Sequence, residues 1–580
     1  MLFSSRKTNF PARRKLLYTF SKTMQVAKLA VHQDDAEILL KEKNKLDQLV
    51  VDKYRTAGSI AQTTLKYVIQ LINDSYHLQK TERPYSCEEL CILGDSMMAK
   101  LLGNCYNNTE KVREKGISHP VTIEVNEYVA NVAPEMGQRA EQLIFQAGDI
   151  VTVSLGAQID GYTALVSHTL VIYPPGVMID NELKPAGPLL GSKADAIVAC
   201  NVATKTVVAL LGLALHPEKI AWIPELQHSN GVISGTLIRQ VVDRIAVSFG
   251  CVVVPGSKVR RVRRFLAGQA EGVVAERDFK GVVWDESDQE EELLKKAAGT
   301  DLIVHDKNSA ASTNVSSAIP TDDFVVEAGE AYNVDLRFCG MAEFLEKGLI
   351  TLQDVEEKPT IYVRDFAVTH HLKLTSAREL LALVDKDFSV YPFKLSHTCD
   401  SFPVDYEQSD IVGQLSAIKK EIVRRKLGLN ELANRYLARP KPVQIVKHVP
   451  FSKILTTLNP TGRHGIDSNK LTLPGKEVPL PALGISALKL KTLLKFGTAA
   501  TAVAREATTI LLNDVSKDVV RLTGGEHTAR PSWVHSQFQV ADDVLSLINS
   551  LNNVDYVVKE VQPLKLNTTI LHLEETMQLD

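Results

Sequence analysis

Residues Gly148–Tyr173 read GDIVTVSLGAQIDGYTALVSHTLVIY. Two apolar-rich runs flank Asp160-Gly161, and Asp-Gly between β-type runs favours a two-residue type I′ hairpin. That turn sets a register in which Ile159 faces Tyr162, Gly156 faces Leu165 and Ser154 faces Ser167. Ser154 and Leu165 are then diagonal neighbours on one face. Such neighbours lie roughly 7–8 Å apart, a spacing at which two carboxylates could converge on metal ions. Neither of these two residues is a strong ligand.

The pattern recurs further along. Ala147-Gly148-Asp149 followed by Val153-x-Leu155 is echoed by Ala328-Gly329-Glu330 followed by Val334-x-Leu336. In that register Ser154 matches Asp335. The echo predicts two related β units, each offering one inward polar side chain; chance likeness between two turn-then-strand segments is the alternative, because Gly plus an acid before a strand is common turn chemistry.

With 580 residues the chain exceeds what one hydrophobic core usually serves. Forty-four per cent apolar residues make it a globular chain, and no apolar run is read as reaching the roughly 18–20 residues of a membrane span; Val207–Leu215 reads as buried helix. The expectation is no membrane anchor. Seven dispersed cysteines, an odd number, point to a reducing compartment and buried thiols. Cys87 and Cys91 share a helix face, but no second pair completes a zinc site.

A net charge of −3 excludes a globally basic nucleic-acid binder, so an RNA partner would have to be met through local patches. In SKVRRVRRFLAGQ, five of the seven residues 258–264 are basic: Lys258, Arg260, Arg261, Arg263 and Arg264. Val259, Val262 and Phe265 recur every three residues, which would turn apolar groups inward and leave the cations projecting together from a short helix or ledge. Guanidinium forks grip phosphate oxygens, so RNA contact is the functional reading; a solvated face and a nuclear-localisation signal stay open.

Residues 1–34 form a basic N-terminal extension with the composition of a transit peptide, although Met24 offers a second start. From Asp35 to Ile72 the pattern is helical, with a break expected near Gly58. Strands alternate with helices over 120–280. Residues 284–320 read as an acidic, mobile insertion. Residues 372–436 are helical at each end, 437–482 is a Pro/Gly-rich excursion, and strand character returns at Thr508–Leu512. His370-His371, His527 and His535 give no metal-ligand spacing, and there is no nucleophile elbow or P-loop.

GDIVTVSLGAQIDGYTALVSHT, GEAYNVDLRF, HLKLTSARELLALVDKDFSVYPFKL and VAREATTILL together resemble the methionine-aminopeptidase-like, or pita-bread, superfamily in its type II branch. The resemblance implies an α/β (α+β) pita-bread fold made of 35–283, 321–375 and 483–580, with a type II-like helical and loop insertion at 376–482. PGSKVRRVRRFLAGQAEGVVAERDFKGVVW, LTLPGKEVPLPALGISALKLK and RLTGGEHTARPSWVHSQ are similar to a family of fungal factors that shuttle with the large pre-ribosomal subunit.

Active pita-bread peptidases hold two metal ions with two aspartates, a histidine and two glutamates. Carried over, the resemblance puts the aspartate positions at Ser154 and Leu165, and the first glutamate at Asp335. The metal-binding histidine would fall within Cys251–Val259, which has none. The last glutamate falls at Ala507, with Glu506 one residue out of register and so on the opposite strand face. A substrate-handling histidine falls at Asn131. One plausible ligand cannot hold a dinuclear centre. The resemblance therefore implies a chain without cofactor or catalysis that docks near the nascent-chain exit, touches rRNA and ribosomal proteins there, meets a small basic export partner and Phe-Gly nucleoporins, and shuttles between nucleus, nucleolus included, and cytoplasm. A metallopeptidase with unorthodox ligands is the alternative.

Overall fold

The computed structural model describes Ile38 and residues 42–565, apart from 265–279, 290–321, 454–498 and several short breaks. The basic extension 1–34, most of the acidic insertion and the loop part of 376–482 lie outside the described residues.

In chain order the elements that frame the site are α1 (Gln48–Ile72), α2 (Cys87–Gly103), β1 (Lys115–Val125), β2 (Ile150–Ile159), β3 (Tyr162–Val171), α3 (Ser192–Leu213), α4 (Gly235–Ser248), β4 (Lys258–Val262), β5 (Ala331–Gly340), β6 (Gly348–Asp354), α5 (Thr375–Asp387), α6 (Ile411–Asn434), β7 (Gln444–Pro450) and β8 (Val503–Asn513). The large sheet runs β1-β2-β3-β8-β5-β4 and then the short strand Gly281–Val283. Its central ladders are antiparallel. This is the pita-bread arrangement.

The opening hairpin has the register read from its turn: Ile159 pairs with Tyr162, Gly156 with Leu165 and Ser154 with Ser167. Asp160 and Gly161 both take positive φ, 55° and 86°, as a type I′ turn requires. The echo at 328–336 is structural too. Gly148 donates its N–H to Ile172 O at 2.8 Å and Ile172 donates back to Asp149 O; Gly329 donates to Leu512 O at 2.8 Å and Leu512 donates back to Glu330 O. Gly148 and Gly329 sit at φ +92° and +79°, a region that penalises any side chain. Two like units thus meet at the β3–β8 seam, through the pair Ser167 and Ala507.

Strand alternation divides each unit into two faces. Val151, Val153, Leu155 and Ala157 of β2 pack with α1 and α2; Tyr332, Val334, Leu336 and Phe338 of β5 pack with α3 and α4. The Val, Leu and Phe side chains among these, fully buried, each contribute about 1.5–3 kcal/mol over exposure. Contrary to the sequence reading, α3 has the length and apolarity of a membrane span. However, 83% of its apolar window is buried inside the protein, where it covers β5 and β8. Cys87 and Cys91 are buried free thiols of α2.

α1 does not break at Gly58. A Cβ there would stand 2.6 Å from the Leu522 carbonyl, so the glycine lets the helix press against the C-terminal part of the chain. Ser59 Oγ donates to Gln562 O (2.6 Å), Gln62 Nε2 to Gly524 O (2.9 Å) and Leu564 N to Thr63 Oγ1 (2.8 Å).

The insertion helices α5 and α6 pack on each other and are pinned to the core by a buried ionic cluster. Asp95 of α2 accepts from Val121 N (2.7 Å) and meets His397 Nε2 (2.9 Å) and Lys394 Nζ (3.4 Å). Burial opposes its charge, but His397 and Lys394 outweigh it and hold the Asp95 carboxyl below its ordinary value. The proposed excursion 437–482 begins as structure, since β7 pairs along β6. The start of the acidic insertion is likewise packed: buried Trp284 donates Nε1–H to Asp243 at 2.7 Å, and Gln289 accepts from Ile350 N at 2.8 Å. His370 and His371 lie in exposed coil rather than on a strand.

Candidate functional site

The faces turned away from the helices bring one set of polar side chains together. Register places Thr122 opposite Ser154 and Glu124 opposite Thr152, Asp335 opposite Ala507, and Arg337 opposite Arg505. Of the five peptidase-derived positions, Ser154, Asp335 and Ala507 thus share the centre of the sheet and are all buried. Leu165 is on the same face, where its Cδ2 takes the space a side chain on Gly156 would need. Asn131 is held elsewhere: at φ +64° its Nδ2 donates to Pro442 O (2.8 Å), two residues before β7.

The centre is filled by a side chain that the sequence reading did not single out. Arg505 reaches Asp335 with Nε at 2.7 Å and Nη2 at 2.9 Å, a bidentate fork, and its Nη1 donates to Ser154 Oγ at 3.3 Å. Ser154 in turn stands 3.5 Å from Glu124 Oε2. Arg337 Nη2 lies 3.6 Å from Asp335. Thr169 Oγ1 fixes the Arg505 backbone from both sides, accepting from its N–H (2.8 Å) and donating to its carbonyl (2.9 Å).

The electrostatics follow from burial and pairing. Burial works against the Asp335 charge, yet Arg505 and Arg337 outweigh it and hold its carboxyl well below the usual carboxylate range. Burial pushes Glu124 up, opposed by Arg505. Burial and Arg505 bring Arg337 down to about 10, so it stays charged at neutral pH. His119 of β1 also belongs here: its Nδ1–H donates to Pro120 O at 2.7 Å, and loss of solvent together with Lys441 and Arg505 lowers it to about 4. The dent bounded by Glu124, Tyr128, Val129, Thr152, Arg337, Val503 and Arg505 is too narrow to admit a water molecule.

These residues do not fit a pair of metal ions. Ser154, Leu165 and Ala507 offer no carboxylate, the one matching acid is already spanned by a guanidinium, and buried Arg337 and largely buried Arg505 on the same face repel a dication. Among the described residues no three His, Cys, Asp or Glu side chains are grouped to hold a metal. Glu506, whose parity puts it on the opposite face, is indeed on the helix side, where it meets His168 Nδ1 at 2.9 Å.

The basic stretch departs from its reading. It is a strand, so its cations alternate: Lys258 and Arg260 stand opposite Asp335 and Asn333 on the site face, whereas Arg261 stands opposite Tyr332 on the other. Arg261 is buried, with Nη1 3.7 Å from both Glu327 and Glu330. Arg263 pairs with Glu330, and Arg264 with Asp160 at 3.1 Å. Val259 and Val262 are buried as expected, and Phe265 lies outside the described residues. A single clamp of five outward cations does not form, because period-two alternation and acids distant in sequence divide it.

Fold and site together define a pita-bread protein of methionine-aminopeptidase type with an arginine–aspartate pair at the centre of its large sheet. No family model matches the chain. A "probable metalloprotease ARX1" of Debaryomyces hansenii is 56% identical over 578 residues, covering 95% of this chain and 100% of that one. The protein of the same name from Saccharomyces cerevisiae is 44% identical over 603 residues, covering 95% and 100%. A solved structure of a thermophilic Arx1 superposes with a TM-score of 0.53 at 17% identity, over 88% of this chain and 99% of that one. The chain belongs to the Arx1 family.

Proposed function

We propose that this protein is a catalytically inert adaptor of ribosome biogenesis. It binds the large pre-ribosomal subunit near the nascent-chain exit and promotes nuclear export through Phe-Gly nucleoporins and a small basic export partner, shuttling between nucleus and cytoplasm. The observation that supports the loss of catalysis is the Arg505–Asp335 fork. Hydrolysis on this fold needs a metal-activated water, and here a tethered guanidinium neutralises Asp335, the one carboxylate at the carried-over ligand positions. The rest of the reading rests on the resemblance. Contact with rRNA through Lys258, Arg260, Arg261, Arg263 and Arg264 is part of this reading, and Arg261, Arg263 and Arg264 would have to exchange internal acids for phosphates to make it.

The peptidase alternative is the reading that the relatives' printed name carries. Metal content of purified protein and an aminopeptidase assay with added cobalt or manganese decide between the two. Metal-dependent release of an N-terminal methionine overturns inertness; failure to co-sediment with pre-ribosomal particles overturns the adaptor.

A further inference from the structure

The insertion helix α6 carries the segment KKEIVRRKLG, residues 419–428, and its charges are sorted by direction. The two acids of the helix are used inward. Glu421 accepts from Asp400 N (2.7 Å) and Ser401 Oγ (2.5 Å), and Glu431 accepts from Lys373 N (2.8 Å) and Leu374 N (2.9 Å). Arg425 turns to Asp400 at 3.1 Å. The four other cations, Lys419, Lys420, Arg424 and Lys426, are exposed, and among the described residues none has an acid within ion-pair reach.

At 100° per residue, Lys419 and Lys426 fall on one flank of the outward face, and Lys420 and Arg424 on the other. Between them runs an apolar ridge: Val423 is 69% exposed and Leu427 61%. A helix whose only role was to cover the insertion core would need neither the ridge nor two rows of like charge, of which Lys420 and Arg424 repel each other at i, i+4. In a chain of net charge −3 this face is a local reversal of sign.

We propose that this face of α6 is a docking surface for the phosphate backbone of RNA. The proposal rests on the adaptor reading and locates its nucleic-acid contact on the insertion. Two flanking rows of cations suit a polyanion whose charges lie on either side of a groove, and the short apolar ridge fits the sugar-lined floor between them.

The test uses the full chain with Lys419, Lys420, Arg424 and Lys426 all changed to Glu. The probe is a fluorescent RNA duplex of about 20 base pairs, titrated from about 50 to 200 mM KCl. Each phosphate contact contributes somewhat under one unit to the log–log salt slope, so the variant's slope is expected to be shallower by about three, with binding at least tenfold weaker near 100 mM. Val423→Ser with Leu427→Ser is expected to weaken binding without changing the slope. An unchanged affinity and slope in a variant that melts like wild type overturns the proposal. So does equal loss of binding to phosphatidylserine vesicles or poly-glutamate that wild type binds as tightly as RNA, which makes the face a general anion patch. Co-sedimentation separates the two levels: if wild type does not travel with pre-ribosomal particles the adaptor reading falls, whereas if wild type and variant travel equally only the α6 assignment falls.

Discussion

Arg505→Met isolates the interaction that occupies the centre of the sheet. The substitution keeps an unbranched side chain and removes the fork that holds Asp335 at 2.7 and 2.9 Å. Asp335 is 4% exposed. Removing one partner of a buried pair typically costs about 3–5 kcal/mol, because the other charge is left uncompensated. Arg337 stays 3.6 Å away, so the lower end, about 3 kcal/mol, is expected. The pH dependence carries a sign. The Asp335 carboxyl is depressed in the folded protein, so its stabilisation is present above the unfolded value near 4 and is lost as pH falls through the lower folded value. In Arg505→Met, burial dominates and the carboxyl rises, so protonation relieves the variant. The gap between the proteins should therefore narrow from pH 7.5 to pH 5. Urea denaturation followed by tryptophan fluorescence measures it, and Asp335→Asn placed in the Arg505→Met background should recover most of the loss. A gap below about 0.5 kcal/mol, the size of an ordinary surface substitution, or one that does not change with pH, refutes the assigned role.

Ser154→Asp should yield no peptidase activity in cobalt or manganese, because Arg505 would pair with the new acid; turnover above a no-protein control would contradict this. Gly58→Val should destabilise by about 1–3 kcal/mol through overpacking against Leu522, read as a lower denaturation midpoint. Asp95→Asn leaves Lys394 buried beside His397 and should cost about 3 kcal/mol or more, with protease cleavage of the insertion appearing before that of the core.

What was legible in the sequence was what alternation and turn chemistry specify locally. The Asp160-Gly161 turn determined the hairpin register, the Gly-acid echo marked the second unit, and parity alone sent Glu506 to the helix side. Arg505 and Arg337 have the same parity as Ala507 and Asp335, so alternation could have placed them on the site face. That they meet Ser154 and Glu124 depends on the seam between the two units, which no local pattern records. The same distance hid the acids that claim the basic stretch: Arg264 meets Asp160, and Arg263 meets Glu330, across 104 and 67 residues. Gly58 read as a helix break because its reason, Leu522, lies at the far end of the chain. The excess of cations on α6 was present in the sequence, but only the directions of Glu421 and Glu431 show that the acids are spent inward and four cations face outward.

The grip of α1 on the C-terminal segment also has a temporal side. Its bonds join residues 462 to 503 positions apart. At roughly 5–20 residues per second of synthesis, the face of the helix around Gly58 emerges about 25–100 s before the C-terminal segment it binds exists. Throughout that interval Ser59, Gln62 and Thr63 lack the partners they bind once folded. The apolar side of α1 can meet β2 and β3 after about 100 further residues, but its Gly58 face waits for the C-terminal segment for most of translation. A chain truncated near residue 520 should therefore be captured by chaperones rather than accumulate as a shortened domain.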